Sequence, residues 1–137
     1  MGEQLIMPGI APKLPLAPDP GDGTHSLTKG LNENVKQNLK LLILTCPGER
    51  VMMPSFGVGL KRWLFEQNTN QAKGEIQGMI KSQISKHMPF VDLIDVIITD
   101  EVTEAGASKT NFIKVSVHYR VRAAGYVDVL DLSVAPF

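Results

Sequence analysis

Ile113-Lys114-Val115-Ser116-Val117-His118-Tyr119-Arg120-Val121-Arg122 decides the fold class of this chain. A strict period of two places Ile113, Val115, Val117, Tyr119 and Val121 on one face of a β-strand and the polar set on the other. One face is therefore buried and one is wet, the habit of an antiparallel sheet. Downstream, Ala123-Ala124-Gly125 reads as a tight turn into a further strand, Tyr126 to Val134. Upstream, Glu104-Ala105-Gly106-Ala107-Ser108 reads as a looser turn. It follows a strand in which Ile94, Val96 and Ile98 are expected on one face, alternating with Asp95 and Ile97.

Before Pro89 the period becomes that of a helix. Leu31, Val35, Leu39, Leu42 and Ile43 line one face, and Glu33, Lys36, Gln37 and Lys40 decorate the other. Pro47-Gly48 stops this first helix. A shorter helix is expected after Gly57, burying Leu60, Trp63 and Leu64. A third begins near Thr69 or Asn70 and carries Ala72, Ile76, Met79, Ile80 and Ile84 until Met88-Pro89 forces the chain out. Gly74 and Gly78 weaken it by about 1 kcal/mol each relative to Ala. Helices first and a meander afterwards predict an α+β domain, with three helices packed on one face of a small antiparallel β-meander.

An extended Pro-rich N-terminal arm precedes this domain. Pro8, Pro12, Pro15, Pro18 and Pro20 remove amide donors and fix φ, so neither a helix nor an internal strand persists there. Leu5, Ile6, Met7, Ile10, Leu14 and Leu16 nevertheless make the segment too apolar for an idle solvated tail. The expected organisation is an arm over residues 1–25, ordering on a neighbour or folding back on its own domain, and a domain over residues 26–137.

Composition fits that division. A chain of 137 residues buries roughly two thirds of its unfolded surface and needs no disulfide to hold a core. Cys46 is the only cysteine, which suits a reducing compartment and excludes an internal disulfide. No run approaches the roughly 18–20 apolar residues that span a bilayer, and the N-terminus lacks the pattern of a signal peptide. Net charge is zero, but residues 29–86 hold nine Lys or Arg against four Asp or Glu, and residues 87–137 hold four against seven. A helical part leaning positive beside a strand-rich part leaning negative reads either as ordinary solvated faces or as a means of steering charged neighbours in an assembly. Basic residues and aromatics do not interleave, so no nucleic-acid partner is expected.

The loop between the first two helices reads Thr45-Cys46-Pro47-Gly48-Glu49-Arg50-Val51-Met52-Met53-Pro54-Ser55-Phe56-Gly57, with Leu60, Trp63, Leu64, Phe65 and Glu66 following. Pro47, Gly48 and Pro54 restrict its path, and Gly57 supplies a backbone freedom that a side chain denies. Glu49 and Arg50 are neighbours in sequence and each is expected to find a separate partner. Phe56 and Phe65 read as core plugs, and a rigid loop displaying an acid and a guanidinium also reads as a docking surface. The order T.PGER...P.FG..L...LFE resembles the signature of the small baseplate wedge subunit of contractile phage tails, a family that includes a type VI secretion baseplate subunit and whose members have been labelled lysozyme-like. The resemblance covers about Leu27 to the C-terminus.

That resemblance implies a structural subunit that joins wedge proteins around the tail tube and offers a sheet edge for sheath initiation. Its implied partners are other baseplate wedge proteins and sheath subunits, with tube or hub proteins behind them, and no membrane. Its implied location is the virion's tail baseplate, assembled in the host cytoplasm. The interface it implies comprises Gly48, Glu49, Arg50, Pro54, Phe56 and Gly57 in the loop, and Val129 and Leu132 in the last strand. Met88, Pro89 and Phe90 complete it, standing where the family carries Glu-Pro-Arg: the proline carries over and the two charges do not. Asp128 and Asp131 read either as acids that merely keep an ordinary strand soluble or as guards against unwanted pairing and partners for basic sheath residues. The alternative reading is a regulatory binding module of the anti-adaptor type, which resembles the same fold; a tethering arm favours the assembly subunit.

No enzyme is expected. Glu49 and Glu66 form a carboxylate pair of the kind a glycosidase needs, but a pair alone carries little information and no saccharide groove is evident beyond Trp63. His25, His87 and His118 are scattered, none with a second ligand at metal-binding spacing, so no metal or cofactor is expected. Asp19-Pro20-Gly21-Asp22-Gly23 lacks the distal acid of a calcium loop.

Overall fold

The computed structural model describes residues 9–20, 26–28, 30–66, 69–99 and 112–135. The Glu104–Ser108 turn, His25, Leu5, Ile6 and Met7 lie outside the described residues. Two compact units divide at Leu39 and Lys40.

In the first unit, β1 (Ala11–Pro12) pairs antiparallel with β2 (Leu27–Thr28). The Thr28 hydroxyl donates to the Ala11 carbonyl at 3.1 Å, and the Ile10 N–H donates to the Thr28 carbonyl at 2.8 Å. Helix α1 spans Leu31–Leu44, and its Gln37 straddles the arm: Nε2 donates to the Pro12 carbonyl and Oε1 accepts from the Leu14 N–H. Lys13 and Glu33 add an ion pair at 2.8 Å. Thus the described part of the proline-rich segment doubles back on the first turns of α1, while Ile10, Leu14 and Leu16 remain exposed. Val35 and Leu39 are buried as expected, but Leu31 is 44% exposed.

The second unit contains a 3-10 helix (Leu60–Phe65), α2 (Asn70–His87), and a three-stranded antiparallel sheet ordered β3 (Val91–Thr99), β4 (Ile113–Val121), β5 (Tyr126–Val134). Thr69 caps α2, its hydroxyl accepting from the Ala72 N–H at 3.2 Å, which satisfies one of the donors a helix start leaves open. The α2 stripe is buried at Ile76, Ile80 and Ile84 and packs on β3, while the 3-10 helix packs on β5. Val115, Val117, Tyr119 and Val121 are almost wholly buried on the inner sheet face, as their alternation predicts. Gly125, at φ 66°, turns the β4–β5 hairpin in the left-handed region, which favours glycine.

Three further expectations are corrected. The β3–β4 register slips between Leu93 and Asp95, so Ile94 is the extra residue of a bulge and is 56% exposed rather than in the core. Phe65 is no core plug at 74% exposure, whereas Phe56 is buried. The second helix is a 3-10 turn that buries Leu60 and Leu64 and leaves Trp63 only half-buried.

Candidate interaction surfaces

The loop after α1 is braced from within. The Glu49 carboxylate accepts from the Cys46 N–H at 3.1 Å, the Gly48 N–H donates to the Pro54 carbonyl at 2.9 Å, and the Met53 N–H donates to the Arg50 carbonyl at 3.3 Å. The Arg50 guanidinium lies 3.9 Å above the Phe56 ring, a cation–π contact, and Phe56 also meets His87 edge-on at 4.8 Å between ring centroids. Glu49 and Arg50 thus do find separate partners, but inside the loop.

From α2, Gln83 accepts from the Gly57 N–H and donates to the Ser55 carbonyl, each at 3.0 Å, and Lys86 Nζ reaches the Ser55 hydroxyl at 3.1 Å. Gly57 sits at φ 107°, and a Cβ there would collide with the Thr45 carbonyl, so its glycine is required by both conformation and space. The braced loop displays Val51 at 94% and Met52 at 91% exposure. With Met53 at 42% exposure, they are the exposed apolar side chains of this loop.

At the exit of α2 the three residues Met88, Pro89 and Phe90 separate. Met88 is buried at 5% exposure, its N–H donating to the Ile84 carbonyl at 2.8 Å; Pro89 and Phe90 are exposed. Met88 is therefore core, and the surface knob consists of Pro89 and Phe90. Beside them Asp92 accepts from Arg122 at 2.7 and 2.8 Å, with Arg120 at 3.6 Å. The Arg122 hydrogen bond holds the Asp92 carboxyl below the ordinary carboxylate range. The cluster is open to solvent, so it adds little to stability.

The Gly125 N–H donates to the Val121 carbonyl at 2.8 Å and the Arg122 N–H to the Phe90 carbonyl at 3.1 Å. Val121 therefore faces β5 and Arg122 faces β3. Because backbone groups alternate sides along a strand, the regular β4–β5 register turns Tyr126, Asp128, Leu130, Leu132 and Val134 toward β4. Val127, Val129, Asp131 and Ser133 are turned away from it, onto the open edge. The Val129 N–H agrees with this assignment, donating to the Asp128 carboxylate at 2.8 Å.

Val129 and Leu132, paired in the sequence reading, thus do different work: Val129 is an edge position, and Leu132 is a ladder and core residue at 5% exposure. Asp128 faces inward, where its second oxygen accepts from the buried Tyr119 hydroxyl at 3.2 Å, and Asp131 accepts from the Ser116 hydroxyl at 2.6 Å. Burial, reinforced by the Asp128 charge, pushes the Tyr119 hydroxyl far above the usual tyrosine value. On the β3 edge the central groups are already used: the Val96 N–H donates to Asp95 and its carbonyl accepts from Gln77, both at 2.8 Å.

Among the described residues no cluster of His, Cys, Asp or Glu could hold a metal ion, and no helix is long and apolar enough to cross a membrane.

Residues 29–126 match the family model of the baseplate wedge protein gp25. Among solved structures, a chain of the anti-feeding prophage baseplate is 34% identical, with a TM-score of 0.66 over 80% of this chain and 82% of that one. A protein from Geobacter sulfurreducens described as a tail lysozyme shares the fold at 24% identity and a TM-score of 0.64, over 80% of this chain and 95% of its own. A chain of a type VI secretion baseplate complex shares it at 13% identity and 0.54, over 74% and 89%. Among curated proteins no sequence matches. The family match takes in the braced loop and ends at the first residue of β5, and with the anti-feeding prophage relative it establishes that this chain belongs to the gp25 family of baseplate wedge proteins.

Proposed function

We propose that this chain is a non-enzymatic structural subunit of a contractile-tail baseplate, located in the assembled tail, that joins wedge proteins and offers the β5 edge for the start of sheath assembly. The observation that carries the reading is the asymmetry of the sheet. Among the described residues no partner takes the outward backbone groups of Val127, Asp131 and Ser133, whereas the centre of the β3 edge is occupied. An added strand gains backbone hydrogen bonds of about 0.5–1.5 kcal/mol each. Wedge contacts fall to the Val51-Met52 tip and to Pro89 and Phe90, with Ile10, Leu14 and Leu16 of the arm as a further apolar set. Residues 26–137 then form the wedge domain and residues 1–25 the arm that binds a neighbour. Glu49 serves its own loop rather than a reaction, since its carboxylate caps the Cys46 N–H.

Val129→Pro tests the edge. Proline removes an outward donor and leaves the β4 ladder whole, a position where edge strands tolerate it. The loss of the bond to Asp128 costs about 1 kcal/mol. Baseplates carrying the variant are expected to assemble and to remain without sheath; normal sheath on such particles would contradict the reading.

A further inference from the structure

The C-terminal half of the β5 edge is not a bare backbone. Asp131, Leu132, Ser133, Val134 and Ala135 form one wall of an open cleft of about 340 Å³, and Lys40, Leu44 and Lys61 form the other. Lys40 comes from the last part of α1 and Lys61 from the 3-10 helix, and both are exposed. Among the described residues neither makes an ion pair, and the one acid among the cleft's lining residues, Asp131, is engaged by the Ser116 hydroxyl at 2.6 Å. Two ammonium groups therefore flank a strand edge whose outward backbone is open at Asp131 and Ser133, and the half-buried Leu44 lines the same cleft.

A strand laid along this edge presents alternate side chains to the two sides of the sheet. Those on the helix side arrive over Lys40 and Lys61. We propose that this cleft selects the incoming segment by charge: the occupant is an extended stretch of a partner protein bearing an acidic side chain, Asp or Glu, on the face turned toward the helices. The inference rests on the reading of β5 as the edge that accepts a strand and adds the chemistry of what it accepts. Charge at such a rim acts on partner choice and on the rate of encounter more than on raw affinity, so the expected selectivity is modest and sensitive to salt.

Three synthetic peptides separate the two ideas. Each is a ten-residue Thr/Val alternating strand, identical except for two same-face positions that carry Glu, Gln or Lys, and binding to the full chain is followed by fluorescence anisotropy at low salt. The Glu peptide is expected to bind about fivefold or more tighter than the Gln peptide and the Lys peptide more weakly still, on the scale of two exposed ion pairs. Lys40→Gln with Lys61→Gln should bring the three together, and added salt should narrow the differences. Equal binding of all three, abolished by Val129→Pro, would overturn the charge selection and leave the edge reading standing. Binding of the Glu peptide that survives Val129→Pro would show ion pairing without strand addition and contradict the proposal together with the reading beneath it. Failure of all three to bind would sink both.

Discussion

The two edges of this small sheet carry the same device at different strengths. On β3 the Val96 N–H is held by Asp95 and the Val96 carbonyl by Gln77 of α2, so both outward groups at the centre are satisfied. On β5 the Val129 N–H is held by Asp128, and among the described residues no helix side chain reaches its carbonyl. Edges left open invite pairing with other chains. One edge is closed by a helix resting against it, and the other is screened by a single carboxylate that an incoming strand can displace. On the proposed reading this inequality matters, because two equally open edges would give a subunit two competing ways to pair.

The largest effect is expected where the comparison is broken by mistaking ladder for edge. Leu132→Pro removes a donor turned toward β4 and a buried side chain, and should destabilise the unit by about 3 kcal/mol or more. Val129→Pro, three residues away, should cost about a third of that. Urea titration of both variants checks the difference, and similar midpoints would show that the backbone assignment of β5 is wrong.

Next in size is the response to base. Tyr119, bonded to Asp128 beneath the β5 edge, and Tyr126, at the start of that strand, both have their hydroxyl values raised in the fold, by burial first and by the Asp128 charge second. The unfolded chain therefore gives up these protons first, at about pH 10. The stability they confer is fully present below that pH and is lost as the pH climbs toward the folded values. Tyrosinate absorbance should rise together with the loss of circular dichroism, since the chain has only these two tyrosines. Tyrosinate forming at ordinary pH in an intact fold would contradict the buried Tyr119–Asp128 contact.

The smallest effect belongs to the closed edge. Gln77→Ala uncaps the Val96 carbonyl and should cost about 1 kcal/mol, measured by thermal unfolding, while leaving sheath assembly untouched. A sheath defect from this variant with normal stability would move the docking site to β3.

Much of this was legible in the sequence, and the parts that were not have physical causes. The alternation through β4, the Gly125 turn, the stripe of α2 and its stop at Pro89 follow from periodicity and backbone chemistry, and the α+β class follows from their order. The bulge in β3 left no mark, because Leu93 and Ile94 are both apolar and neither reports which of them is the extra residue. Asp128 gave no sign that it faces inward, since the Tyr119 hydroxyl that receives it lies on another strand.

In the loop, the charges of Glu49 and Arg50 brace the backbone and stack on Phe56, and the apolar Val51 and Met52 are what reach solvent. Neighbouring charges in a short loop find backbone amides and rings as readily as partners. The cleft at Lys40 and Lys61 joins residues far apart in the chain to the end of β5, and spacing along the sequence held no hint of it.

The most direct test of the account is hydrogen exchange on assembled particles, comparing baseplates before and after the first sheath ring has added. The amides of Val127, Asp131 and Ser133 should become strongly protected when sheath is present, and those of Val91 and Ile98 along β3 should not change. Sheathed particles in which the three β5 amides exchange as fast as in the bare baseplate would contradict strand addition at this edge.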